Sequence, residues 1–70
     1  MPDPPTAYVV RDEPAGTGRH SDRLHPYTLR GFLAALEGAR IRSFGDVAQV
    51  VVLVREDDRS RVIRRFEHGS

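Results

Sequence analysis

Hydrophobic residues fall into short β-prone runs separated by polar turns. The run at 8–10 predicts a first strand, which ends at Pro14. The segment 47–55 has five β-branched residues in nine and is the strongest predicted strand. A polar turn at 56–59 leads into a further predicted strand at 60–68.

The segment that begins at Pro26 has helical periodicity. Proline suits the first helical position, and Gly38 suits the residue that follows a helix end. Gly31 either permits a close approach or is an unoptimised surface position, and we favour the second reading. The large apolar side chains recur at the spacing of one helix face, which predicts the face that packs on the core: Leu29, Phe32, Leu33 and Leu36.

The resulting order, β-loop-α-β-β, predicts a small single domain of the α+β class. One helix packs on a three-stranded, largely antiparallel sheet. Residues 1–6 carry three prolines and predict a flexible N-terminal arm, and residues 7–68 form the single domain. Residues 15–23 contain two glycines and no large apolar side chain, which predicts a mobile loop.

A three-residue loop at 57–59 gives the C-terminal hairpin one largely apolar face. This register is favoured because the buried face fixes strand pairing. It pairs Val50 with Phe66 and directs these side chains toward the helix: Val50, Val52, Val54, Val62 and Phe66. The opposite face then holds an apolar spot formed by Val51, Leu53 and Ile63. Its predicted rim is Arg55, Arg61 and Arg65.

An apolar spot with a polar rim is typical of a protein interface. These six residues are therefore the candidate interface. Two alternatives stay open: an open sheet also carries isolated apolar side chains without any partner, and the arm at 1–6 could cover them.

Composition excludes several classes of protein. The 11 basic and 10 acidic residues give a net charge of +1, so the chain as a whole is neither a basic coat nor an acidic tail. All the basic residues are arginines, a bias that codon usage in a GC-rich genome explains as well as anion recognition does. Without cysteine there is no disulfide and no thiolate nucleophile.

The longest apolar run, Val50 to Val54, is far shorter than a membrane helix. The first residues, with prolines at positions 2, 4 and 5, lack the basic and apolar regions of a signal peptide. We therefore expect a cytoplasmic protein with no membrane partner.

Candidate chemistry is incomplete. His20, Asp22 and His25 have metal-ligand side chains, but a structural zinc site needs four ligands, and we favour solvated histidines. Residues 15–19 resemble a phosphate-binding loop only in their glycines and lack its lysine. No nucleophile and base are paired. The sequence predicts no enzyme activity, no metal, no cofactor and no small-molecule substrate.

The leading functional prediction is a small regulatory or interaction module. It would dock through its sheet, as a homodimer or on a protein partner, and an exposed strand edge offers a second docking mode. Pro14 would partly protect that edge. The alternative is a nucleic-acid-binding regulator that contacts phosphates, although the sheet lacks stacking aromatics. Its candidate residues are Arg19, Arg23, Arg30, Arg40 and Arg42.

Overall fold

The computed structural model describes residues 6–16, 19–56 and 58–68. Strand β1 (Ala7–Glu13) and strand β2 (Ser21–Pro26) precede helix α1 (Leu29–Arg42). Strand β3 (Gln49–Glu56) and strand β4 (Arg59–Glu67) follow it. One helix packed on an antiparallel sheet confirms the α+β class, but the sheet has four strands, in the order β2-β1-β3-β4, rather than three.

The additional strand is β2, which lies in a segment with a single large apolar residue, Leu24. It pairs with β1 as an antiparallel hairpin, Val9 opposite Leu24 and Arg11 opposite Asp22. The prediction of a loop at 15–23 is therefore wrong from Ser21 onward. The segment 21–26 becomes a strand because its main chain pairs with β1, and its side-chain pattern gives little indication of a strand. Strand β1 is consequently central, so Pro14 does not protect a sheet edge.

Helix α1 begins later and ends later than its sequence signals predict. Thr28 is the N-cap, and its Oγ1 accepts a hydrogen bond of 3.0 Å from the Gly31 amide. The helix continues through Gly38 and ends at Arg42. Ser43 is the C-cap, and its amide donates to the Ala39 carbonyl at 3.0 Å. The Ser43 hydroxyl donates to the Arg40 carbonyl. Serine thus caps this end, and no glycine is needed there.

The buried face of α1 consists of small residues: Gly31, Ala35 and Ala39. The predicted core stripe is wrong for two of its four residues, because Leu29 is 74% exposed and Leu33 is 55% exposed. A stripe of small side chains at four-residue spacing lets the helix lie close to the sheet. Phe32 and Leu36 flank this face and are half-buried. The helix-side core joins the two buried alanines to three strand residues: Val10, Val50 and Val52.

A β-bulge divides the hairpin of β3 and β4. Beyond the bulge, Val52 pairs with Arg64 and Val50 with Phe66, as the predicted register requires. Near the turn, Leu53 pairs with Val62 and Glu56 with Arg59, so two residues connect the strands and the three-residue loop is wrong. The pairing shifts between Val52 and Leu53, which leaves Ile63 as the extra residue of the bulge.

Because of the bulge, Val62 and Ile63 each lie on the sheet face opposite to the predicted one. Ile63 packs against the helix-side core, where Val62 was predicted. Val62 lies opposite Leu53 on the sheet face away from the helix, which we call the outer face. Val9, Val51 and Leu53 form a second buried cluster on the outer face. In the described part of the chain, no helix is long and apolar enough to cross a membrane.

Candidate interaction site

Large apolar side chains remain exposed on several parts of the molecule. They lie on β2, in α1, in the connections that flank α1, and on β4. These residues are Leu24, Tyr27, Leu29, Leu33, Ile41, Phe44 and Val62. Among them, Leu33 lines a groove that also contains charged and aromatic side chains. Leu33 is therefore the centre of the candidate site.

The groove runs between α1 and β4, has a volume of about 470 Å³ and is open to solvent. Helix α1 packs mainly over β1, β2 and β3, so the helix side of β4 is left largely uncovered. We call this feature the α1–β4 groove. Its lining residues are Leu33, Leu36, Glu37, Arg40, Arg64 and Phe66.

Local geometry explains why these six side chains meet. The four helix residues are spaced i, i+3, i+4 and i+7, which places them on one face of α1. Arg64 and Phe66 are two residues apart on β4 and therefore point to the same side of the sheet. The half-buried Leu36 and Phe66 form the inner wall, and Leu33 is more exposed.

Charge in the groove is predominantly positive. Arg40 and Arg64 outnumber Glu37 by one. The Arg64 guanidinium carbon lies 5.3 Å from the centroid of the Phe66 ring, which is a cation–π distance. The guanidinium therefore occupies one face of that ring and restricts base stacking there.

A second, separate hollow lies near the turn of the β3–β4 hairpin. Val54, Glu56, Arg59, Ser60 and Arg61 line it. The helix side of β4 thus carries Arg59, Arg61 and Arg64 in sequence, with only Glu56 facing them from β3.

The six residues of the predicted interface do not lie on one face of the sheet. Val51 and Leu53 lie on the outer face but are buried, at 3% and 5% exposed. Ile63 lies on the helix side instead, owing to the bulge.

The three predicted rim arginines are also divided. Arg61 lines the second hollow on the helix side. Arg55 and Arg65 belong to the outer face, where Arg65 pairs with Val51. The Arg55 Nε is buried and has no hydrogen-bond partner among the described residues. Whether the outer face binds a partner stays a prediction.

The five arginines of the nucleic-acid alternative do not converge on one surface. Arg42 Nε donates to Asp12 at 2.7 Å, and this hydrogen bond raises the pKa of Arg42 above its ordinary value. Arg40 lines the α1–β4 groove, whereas Arg23 lies on β2 at the opposite edge of the sheet. Arg19 and Arg30 are exposed elsewhere. Nucleic-acid binding by this set stays a prediction.

The spacing of His20, Asp22 and His25 does not produce a metal site. Arg11 donates two hydrogen bonds to Asp22, at 2.8 and 3.0 Å. These bonds hold the pKa of Asp22 below its ordinary value. Asp22 and His25 are three residues apart on β2 and point to opposite faces. Across 6–16, 19–56 and 58–68, no three metal-ligating side chains are grouped.

Sequence reasoning missed the α1–β4 groove because it assigned the leucine stripe to the core. One signal was present: Gly31, Ala35 and Ala39 repeat every fourth residue and form a second, smaller face. Comparisons with protein-family models, with curated proteins and with solved structures found no match. The geometry of the groove is therefore the basis for proposing a function.

Proposed function

We propose that the protein is a non-enzymatic interaction module that binds an acidic segment of another protein in the α1–β4 groove. The exposure of Leu33 carries this proposal. Leu33 lies beside two further apolar groups, Leu36 and Phe66, so one partner side chain could bury all three apolar surfaces. Such burial contributes about 25 cal/mol per Å² of apolar surface.

Charge identifies the chemistry of the partner. The groove carries Arg40 and Arg64 against Glu37, and β4 adds Arg59 and Arg61 on the same side. Opposite charge steers association and suppresses unsuitable partners. A segment that combines aspartate or glutamate with one apolar anchor matches this surface.

An apolar wall favours a peptide over a nucleic acid. Single strands bind by stacking bases on aromatic faces, and the one groove aromatic, Phe66, already has Arg64 over its ring. The experiment below tests DNA as the competing ligand of this surface.

The experiment selects short random peptides displayed on phage against the immobilised protein. We expect enrichment of acidic peptides that carry an apolar residue. Leu33→Asp and Arg40→Glu should abolish their binding because both residues line the groove. Leu29→Asp and Arg30→Glu are matched controls, since both are exposed residues of α1 outside the groove, and they should retain binding.

Failure to enrich any peptide family would contradict the proposal, as would equal binding by Leu33→Asp and Leu29→Asp. Single- and double-stranded DNA are tested in parallel over a range of salt concentrations. Binding of DNA that weakens steeply with salt and is indifferent to Leu33 would assign the surface to nucleic acid instead.

A further inference from the structure

Strand β4 offers a free edge next to the α1–β4 groove. It is the last strand in the sheet order and, within the described residues, pairs only with β3. With nine residues it is also the longest strand. The backbone amides and carbonyls on the unpaired side of an edge strand are available to a further strand.

The charges of β4 restrict which strand can add there. It contains Arg59, Arg61, Arg64 and Arg65 against one acid, Glu67. Like charges directly opposite each other on paired strands are destabilising, whereas opposite charges contribute favourably. A second copy of β4 would bring its own arginines to this edge, so self-pairing is disfavoured and an acidic strand is favoured.

The position of the helix leaves room for such a strand. A strand paired with β4 would lie about 4.8 Å further out. Alternate side chains of that strand would point to the helix side, beside Arg64 and Phe66, where α1 leaves the sheet uncovered. The other side chains would point to the outer face, beside Arg65.

We infer that the acidic segment binds as an extended strand that pairs with the Arg64–Glu67 part of β4 and inserts its apolar side chain beside Leu33 and Phe66. This inference rests on the proposed function and adds the conformation of the ligand. The bulge at Ile63 interrupts regular pairing, so the added strand pairs beyond it, where β4 borders the groove. An amphipathic helix in the groove is the competing mode.

The test uses the tightest-binding selected peptide and its variants with one backbone amide methylated at a time. Strand pairing uses every second amide of the ligand. Methylation should therefore weaken binding at alternate positions by about tenfold or more, and leave the positions between them nearly unchanged. Amide hydrogen exchange of the protein is measured with and without the peptide. We expect new protection at alternate amides of β4 and none on β2, the opposite edge strand.

The outcomes separate this inference from the proposed function. A peptide that binds and depends on Leu33, but shows no alternation on methylation and no protection of β4, overturns strand addition and leaves the groove function standing. A selection that yields no peptide overturns both.

Discussion

Gly31 and Gly38 belong to the same helix but meet different surroundings. A Cβ built on Gly31 would lie 1.8 Å from the carbonyl oxygen of Pro26, whereas one built on Gly38 meets nothing within 4 Å. Gly31 is therefore the point at which α1 touches the end of β2, and the interpretation of Gly31 as a surface position is wrong. Gly38 is a helical position with free space beside it.

These surroundings predict opposite effects of alanine. Gly31→Ala should lower the free energy of unfolding by about 1–3 kcal/mol, the usual cost of overpacking. Gly38→Ala should raise it by about 0.5–1 kcal/mol, because alanine favours the helix and no atom obstructs it. Urea denaturation of both variants measures the difference. Equal stabilities would show that α1 does not approach Pro26 this closely.

The ion pair of Arg11 and Asp22 gives a second effect at the scale of single residues. Both side chains are about one-third exposed, at 33% and 34%. An ion pair of this kind contributes up to about 1 kcal/mol. Because the hydrogen bonds from Arg11 lower the pKa of Asp22 in the folded state, the contribution is present above the unfolded pKa of about 4. It is lost as the pH falls through the folded pKa.

We expect Asp22→Asn to be less stable than the wild type at neutral pH by up to about 1 kcal/mol. The gap should close progressively as the pH falls from about 4 to below the lowered folded-state pKa of Asp22, where the carboxylate is protonated in both the folded and the unfolded state. Thermal or urea unfolding across this pH range measures it. A stability difference that stays constant with pH would show that the Asp22 charge contributes nothing.

At the scale of elements, α1 presents two apolar faces of different size. Its small residues face the sheet, and its leucines lie on the flank toward β4 or in solvent. Close packing of the alanines over Val10, Val50 and Val52 buries the valines completely or almost so. The exposed leucines are therefore available for a partner without loss of the core.

The expected cost of truncating Leu33 changes accordingly. As a core residue, Leu33→Ala would cost about 2–5 kcal/mol. Since Leu33 is 55% exposed, less than half of the roughly 1.5–3 kcal/mol that full burial of a leucine contributes is lost, so we expect a cost of about 1 kcal/mol. Ala35→Leu is the complementary variant: Ala35 is fully buried, and overpacking should cost about 1–3 kcal/mol. Urea denaturation that ranks the two variants in the opposite order would contradict this orientation of α1.

At the scale of the whole molecule, the two sheet faces differ in charge. Among the paired strand residues, the outer face carries Arg11, Arg55 and Arg65 together with three acids, so the formal charges of these residues balance. Those acids are Glu13, Asp22 and Glu67. The helix side of β4 is predominantly basic. No net charge on the outer face opposes a second copy there, whereas the basic side favours an acidic ligand.

Self-association through the outer face remains a prediction, and the structure changes which residues test it. On this face Val62 is 44% exposed and Leu24 is 58% exposed, whereas Leu53 is only 5% exposed. A second copy would therefore contact Val62 and Leu24 rather than Leu53. Val62→Glu should leave the fold intact and abolish concentration-dependent dimerisation, measured by sedimentation equilibrium. Leu53→Glu is expected to unfold the domain, because it buries a charge at a position that is 5% exposed. A wild type that stays monomeric at high concentration would contradict self-association.

The sequence by itself determined the strand regions at 8–10, 47–55 and 60–68, the helix between β2 and β3, and hence the α+β class. These features follow from local periodicity and β-propensity, which act within a few residues. The pairing of Val50 with Phe66 was also available from the sequence, because it follows from keeping one face apolar.

Only the tertiary structure showed that β2 forms, which face of α1 packs on the sheet, and that a bulge lies at Ile63. The α1–β4 groove follows from the orientation of α1. Strand β2 forms because β1 supplies backbone partners. The orientation of α1 depends on how closely its small face can approach the sheet, and Gly31 determines that distance at Pro26. Each of these depends on contacts between one segment and another, which the spacing of large apolar residues within a single segment does not specify. The spacing of Gly31, Ala35 and Ala39 is the one local signal of which face of α1 approaches the sheet.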